Sequence, residues 1–329
     1  MSLARPSNLH SSWVILHDPP ISSPSPDRWT PESATQLARR ACLTQNLPAR
    51  DLVLIRFGTN AVFEVAGADL ALRLRRPGTP LEEIVRQVNL AVWLAKKSFP
   101  VNRPAQGFDV LHEGLDGATA SFWEWIDEDP RRHADVAELG ELLRDLHVQL
   151  DRYPKVDDFP LWSPFHEIEH RIQVVERNPD NWPGPSRLKL LRQWSRETSA
   201  DLTEVDWRLT TGLVHGDAHV GNVLTAKTGD NLLIDLDAVS RGHREWDLVP
   251  TAVSQLRFRA DPASIEDFTA AYGFDLLAWS GWPALRRLRE LYMTSWLMSV
   301  ANSRARQEEV EHRMRCLAEG DEQATWNPV

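Results

Sequence analysis

The hydrophobic period changes part-way along this chain, and that change restricts its possible architecture more than any other feature. Before about residue 133 the apolar residues come in short runs. "DLVLIRF" (51–57), "AVFEVAG" (61–67) and "DLALRLR" (69–75) are rich in Val, Leu and Phe and are separated by Gly and Asn turns. Runs of that kind predict three successive strands. "GFDVLH" (107–112) and "GATASFWEW" (117–125) predict two more. Beyond residue 133 the spacing turns helical. Val136, Leu139, Leu142, Leu143, Leu146 and Leu150 form one stripe, and residues 165–178, 186–203, 262–273, 283–301 and 305–318 give further helical candidates. Two helices start earlier. Thr30-Pro31-Glu32 supplies a cap, a first-turn proline and an acid. Thr79-Pro80-Leu81-Glu82 reads as a capping box opening a helix with Ile84, Val88, Ala91 and Ala95 on one face.

The expected fold class is therefore α+β and two-lobed, with a small β-rich N-terminal lobe and a larger helical C-terminal lobe. A chain of 329 residues has room for both. The expected divisions are an arm over 1–29, a sheet lobe over 30–123 and a helical lobe over 124–329, joined by a connector near Trp123–Asp127. Residues 17–28, "HDPPISSPSPDR", are rich in proline and serine and read as an extended linker.

Composition narrows the partners. A net charge of −10 argues against a nucleic-acid footprint. No apolar run is long enough to cross a bilayer, and the start of the chain has no cleavable signal pattern. The only cysteines, Cys42 and Cys316, lie at opposite ends, so the expected location is a reducing cytoplasm.

One polar cluster interrupts the helical half: "LVHGDAHVGNVLTAKTGDNLLIDLDAV" (213–239). "VLTA" and "LLIDLD" flank the turn-forming "KTGDN", which predicts a β-hairpin. Folding it about Gly229 brings Asn222 within one pair of lying opposite Asp235. An amide oxygen and a carboxylate meeting there suit a hard cation such as Mg2+, which completes its octahedron with water and phosphate oxygens. Asp217, five residues before Asn222, could instead face a reacting hydroxyl. An acid ahead of a metal-binding amide, with a second acid on the next strand, is an arrangement used for phosphoryl transfer.

These residues resemble the aminoglycoside phosphotransferase and choline kinase-like family of small-molecule kinases. "HGDAHVGN" is similar to that family's catalytic loop, "IDLD" to its metal-binding strand, and "REWDL" (244–248) to the segment that follows. The order of sheet lobe, connector and helical lobe extends the resemblance over about residues 30–320. It implies a protein-kinase-like fold and transfer of the γ-phosphate of ATP or GTP, with Mg2+, to a hydroxyl of a small molecule. Cationic acceptors, such as an aminoglycoside-like antibiotic or an amino-alcohol metabolite, belong to that set. It implies Asp217 as catalytic base and Asn222 and Asp235 as metal ligands, with His215 and Asp247 supporting the loop. Gly216 stands where protein kinases usually carry an arginine that receives an activation-loop phosphate, which speaks against a protein kinase regulated that way.

The small lobe departs from the family's pattern. The loop over the phosphates offers Gly58 at its tip, with Thr59 and Asn60 beside it. Arg73 occupies the strand position usually held by lysine, and its helical partner would be Gln87 or Glu83. Arginine can bind phosphate bidentately, so the substitution is compatible with a nucleotide clamp. The connector would present backbone groups of Glu124 to Ile126 to a base edge, with Trp125 close by.

Other readings stay open. His215 and His219 have a spacing that holds zinc on a helix, but Gly216 and Gly221 argue against a helix there. Asp237 is either a solvated strand end or a group at the metal or substrate site, and Arg73 is either a clamp or a surface cation. Trp279, Trp282 and Trp296 fit a core better than an amine pocket. Glu290 fits an exposed helix face better than an amine-binding role at the substrate site. A nucleotide-binding regulatory protein with a degenerate clamp is the alternative to an enzyme.

Overall fold

The computed structural model describes residues 29–177, 182–258 and 263–328. The expected arm over 1–29 and linker over 17–28 lie outside the described residues, apart from Trp29. Helix α1 (Pro31–Thr44) begins in a capping box: the Ser33 N–H donates to Thr30 Oγ1 (3.2 Å) and the Thr30 N–H to Ser33 Oγ (2.9 Å). Strands β1 (Leu52–Phe57), β2 (Asn60–Val65), β3 (Leu70–Arg75) and β4 (Thr119–Glu124) form one antiparallel sheet in sequence order. Alternation along β2 and β3 buries Ala61, Phe63, Leu72 and Leu74 in one core with Ala34, Leu37, Ala38 and Ala41 of α1. The opposite face of β3 carries Ala71, Arg73 and Arg75. This places two arginines on the side of the sheet away from α1.

Three local expectations fail here. "GFDVLH" contributes only the isolated bridge Leu111↔Ala120, on the edge of β4 away from β3. The capping box at Thr79 does not form. Helix α2 (Leu81–Lys96) has Pro80 at its cap position, and the Thr79 hydroxyl donates to the Arg76 carbonyl instead (3.1 Å). The apolar face of α2 is also rotated from the expected one, burying Ile84, Gln87, Leu90, Ala91 and Leu94. Leu90, Ala91 and Leu94 join the core of the helical lobe, so α2 ties the two halves together.

The helical lobe contains α3 (Val136–Leu150), α4 (Pro164–Glu176), α5 (Pro185–Thr203), α6 (Glu245–Arg257), α7 (Ala263–Tyr272), α8 (Trp282–Ser299) and α9 (Arg304–Glu319). The α3 stripe is as the sequence predicts, apart from half-buried Leu142. Helix α6 has no counterpart among the sequence expectations. Residues 245–253 are buried on every face and Pro250 lies within the helix, so no helical stripe shows. Short strands β5 (Thr211–Val214) and β8 (Ser240–His243) pair antiparallel, and β6 (Val223–Thr225) and β7 (Asn231–Leu233) form the expected hairpin. Trp279 and Trp282 are buried in the core and Trp296 packs against it. The segment after α9 also belongs to this core. The Trp326 N–H donates to the Arg257 carbonyl (2.7 Å), and its ring lies between the guanidinium groups of Arg257 and Arg313. Among the described residues no helix is long and apolar enough to cross a membrane.

Gly140 sets how closely α3 approaches α7: a Cβ there would lie 2.8 Å from the Phe268 carbonyl oxygen. Gly140→Val should therefore overpack this contact and cost about 2–3 kcal/mol in a urea denaturation. An unchanged midpoint would mean that the two helices have room to spare.

Candidate active site

The loop after β5 is held from below by one carboxylate. Asp247, in the first turn of α6, is fully buried and accepts the N–H groups of His215 and Gly216, both at 2.7 Å. Its Oδ2 also lies 2.8 Å from His147 Nε2 on α3, while His147 Nδ1 lies 2.8 Å from the Tyr272 hydroxyl on α7. The tautomer that fits donates from Nε2 to the carboxylate and accepts the tyrosine proton at Nδ1. Gly216 has φ +86°, and a Cβ there would meet the Ala238 carbonyl oxygen at 2.3 Å. The arginine of protein kinases has no space at this position. Trp246 Nε1 donates to the Gly216 carbonyl (2.9 Å).

His215 spends both ring nitrogens locally: Nδ1 accepts the Asp217 N–H (3.3 Å) and Nε2 donates to the Ile234 carbonyl (3.1 Å). His219 Nδ1 accepts the Gly221 N–H (3.1 Å). The two histidines thus shape the loop, and among the described residues no group of three or more His, Cys, Asp or Glu is placed to hold a metal ion.

Asp217 is buried, with its Oδ1 accepting from Arg289 Nη2 on α8 (3.1 Å) and its Oδ2 lying 3.4 Å from His219 Nε2. Asn222 Nδ2 donates to the Asp217 carbonyl (2.9 Å), which fixes the amide and turns its oxygen the other way. The hairpin register pairs Val223 with Leu233, and the Ile234 N–H donates to the Asn222 carbonyl (2.9 Å). Asp235 is therefore one residue beyond the position opposite Asn222, in the left-handed region at φ +63°. An amide oxygen and one carboxylate are a donor set that fits Mg2+, whose remaining positions water and phosphate oxygens would fill.

The two arginines of β3 meet the two acids of "IDLD". Arg73 Nη2 donates to Asp235 Oδ1 (3.0 Å) and to Asp237 Oδ2; Arg75 and the Asn60 amide also donate to Asp237 Oδ2, the latter at 3.1 Å. Burial alone would raise the pKa of Asp237. The Arg73 and Arg75 charges and the Asn60 amide outweigh it and hold the carboxyl well below the usual carboxylate range. Burial likewise works against the Arg73 charge, and Asp237 and Asp235 more than restore it.

This geometry corrects two expectations and closes two open alternatives. The partners of Arg73 are Asp235 and Asp237, not Gln87 or Glu83, because Asp237 offers a second carboxylate directly across the cleft. Arg73 is not a surface cation, having a side chain only 16% exposed, and Asp237 is not a solvated strand end, with a side chain 5% exposed. Glu290 is neither exposed nor open to an amine: it is buried against Arg257 Nε (2.7 Å) and Arg286 Nε (2.9 Å). In the connector, the Glu124 N–H donates to the Arg103 carbonyl (2.8 Å) and the Trp125 N–H to the Asp69 carbonyl (3.0 Å). The Gly58 tip is tied back by its own N–H to the Asn60 carbonyl (2.9 Å) and by Trp29 Nε1 to its carbonyl (2.7 Å).

Sequence reasoning missed Arg75, Arg289 and His147. Arg75 was within reach, since it is two residues from Arg73 on the same strand face. Arg289 and His147 come from helices distant in sequence, and no local pattern marks them. A cavity of about 300 Å3 opens between α2, the segment before α4 and the residues after Asp235, with Gly216 and Tyr292 in its wall.

A small antiparallel sheet closed onto a helical lobe, with an acid–amide–acid loop in the cleft, defines a kinase-like phosphotransferase. The sequence profile described as "Phosphotransferase enzyme family" matches residues 54–291, and the chain belongs to that family. Its fold is similar to that of amicoumacin kinase hAmiN solved with AMP-PNP, Ca2+ and Ami (13% identity, TM-score 0.69, covering 91% of this chain and 98% of that one). It is also similar to a microcompartment-associated aminopropanol kinase (19% identity, TM-score 0.67, 88% and 98% covered). A choline/ethanolamine kinase family protein from Mesorhizobium loti matches at 20% identity and TM-score 0.59, with 88% and 96% covered. A search of curated protein sequences gives no match.

Asp247→Ala should leave two buried N–H groups and His147 without their acceptor. The expected loss is about 3–5 kcal/mol of stability, read as a lower thermal midpoint. A variant as stable as the parent would show that the loop holds its shape by other means.

Proposed function

We propose that this protein is a small-molecule kinase that moves the γ-phosphate of ATP or GTP to a hydroxyl of a small acceptor. The observation that carries this reading is the single loop and hairpin that set Asp217, Asn222 and Asp235 side by side, with the Asn222 amide bonded to the Asp217 carbonyl. Asp217 orients the acceptor hydroxyl and takes its proton. Asn222 and Asp235 would hold Mg2+, which supplies charge neutralisation at the phosphates when bound. Arg73, bonded to Asp235, would serve as the cation for the donor's phosphates. The Gly58 loop covers them, and the Ile126 end of the connector takes the base edge. Catalysis then rests on positioning and on fixed charge in a closed cleft.

A second reading, a regulatory protein that binds nucleotide without transfer, draws on the same Arg73–Asp235 pair, which occupies a metal ligand with a protein cation. Magnesium-dependent nucleotide consumption across a panel of hydroxylated amines, sugars, amino acids and antibiotics separates the two. Consumption raised by an acceptor supports the kinase, and none with any acceptor supports the regulator.

Asp217→Asn should lower kcat by roughly 10²–10⁴-fold while nucleotide affinity stays as in the parent. Near-parent turnover would take Asp217 out of its role. Asp235→Ala should weaken magnesium-dependent nucleotide binding itself, and unchanged calorimetric affinity would contradict the metal assignment. Arg73→Ala should raise the nucleotide Kd by about ten- to a hundredfold, with Arg73→Lys recovering part of the loss. Parent-like affinity in Arg73→Ala would confine that arginine to joining the lobes.

A further inference from the structure

Three small-lobe side chains converge on a single oxygen of the large lobe. Asn60, Arg73 and Arg75 all donate to Asp237 Oδ2. The β2–β3 register explains the grouping: Asn60 lies opposite Arg75 and Val62 opposite Arg73, on one face of the sheet. The Asn60 carbonyl accepts the Gly58 N–H (2.9 Å), so Asp237 grips the loop as well as the strand. Asp237 itself stands on a fixed base. Its turn, Leu236–Ala238, packs on the catalytic loop so closely that a Cβ on Gly216 would lie 2.3 Å from the Ala238 carbonyl oxygen. The small lobe offers no substitute for this acid. Helix α2 buries the neutral Gln87, and among the described residues Arg73 pairs with Asp235 and Asp237 and with no acid of α2. The two aspartates differ in setting. Asp235 is the more open, with a side chain 21% exposed, whereas Asp237 holds Arg73 from inside the cleft. A cation at Asp235 would take that contact from Arg73 and leave Asp237 as its holder. Stability alone is a poor reason for such a cluster, because buried ion pairs seldom return more than their desolvation cost.

We propose that Asp237 is a positioning residue: from the large lobe it aims Arg73 and ties the Gly58–Asn60 loop over the phosphates of the donor nucleotide. The inference rests on the reading of Arg73 as the phosphate cation. It gives Asp237 neither a metal ion nor the acceptor to hold, and so separates its task from that of Asp235 two residues before. The holder of Arg73 belongs to the same lobe as Asp217 and is joined to it through the contact of Ala238 with Gly216. Phosphates and base are therefore aligned with each other whatever the orientation of α2. The clamp is complete only where the sheet meets the hairpin, which makes closure of the lobes and capture of the phosphates one event.

Calorimetric titration of the full chain with ATP and with GTP, each in magnesium and in EDTA, tests this. Asp237→Asn should raise the Kd of the tighter nucleotide about tenfold in both conditions. Added to Arg73→Ala, the same substitution should weaken binding far less than it does in the parent, since Asp237 acts mainly through that arginine. The pair Arg75→Gln/Asp237→Asn removes one buried charge of each sign and so guards against a single variant that fails to fold. It should show the same loss as Asp237→Asn. Parent-like affinity in either folded variant would overturn the proposal. So would a loss confined to magnesium, which marks a metal ligand, or a full additive loss on top of Arg73→Ala. Absence of nucleotide binding by the parent in EDTA would do the same. A parent that binds nucleotide but consumes it with no acceptor removes the kinase reading alone. Acceptor-raised consumption together with any of the overturning results removes only the role of Asp237.

Discussion

The buried carboxylate of Asp247 is the interaction on which the working part of this structure depends. A loop carrying polar residues cannot enter a protein interior unless its backbone groups are paired. Asp247 supplies that pairing for His215 and Gly216 and is itself oriented by His147, which leans on Tyr272. One side chain thus joins β5, α3, α6 and α7, and Asp217 follows two residues later with its backbone direction already fixed. The close α3–α7 approach at Gly140 is part of the same device, since it brings His147 and Tyr272 together. Networks of this kind hold shape only when every member is satisfied.

The second constraint acts between the lobes. Arg73 and Arg75 lie two residues apart on one strand face, and Asp235 and Asp237 lie two apart where the chain leaves β7. Two positive and two negative groups meet in a partly closed cleft, and their charges balance. Desolvating either pair alone would cost more than it returns, so the contact persists as a unit. It holds the small-lobe sheet against the hairpin while Asp235 stays partly open to solvent.

Much of this was legible in the sequence where short-range pattern dominates. Period-two runs gave β1 to β3, the α3 stripe gave its helix, and the "KTGDN" turn fixed the hairpin and with it the nearness of Asn222 and Asp235. Local pattern failed where tertiary context overrides it. Helix α6 is buried all round and therefore has no polar face to reveal its period. Thr79 had a nearer carbonyl to bond than the helix it precedes. Arg73 had two helix residues as candidate partners, but Asp237 is the carboxylate that burial brings within reach. Arg289, which holds the Asp217 carboxylate, is 72 residues further along the chain, a contact that folding alone creates.

The packing of residues 321–327 has a consequence for how the chain is made. Arg257 and Arg286 reach the carbonyls of Asp321, Ala324 and Glu322, while Trp326 caps Arg257 and Arg313. Until those residues leave the ribosome, these arginines lack those carbonyls and the core lacks Trp326. The sheet can close early in synthesis, because its strands are near neighbours in sequence. The helical lobe gains its last core side chain, Trp326, much later, and until then the apolar surface that Trp326 covers stays exposed on the nascent chain.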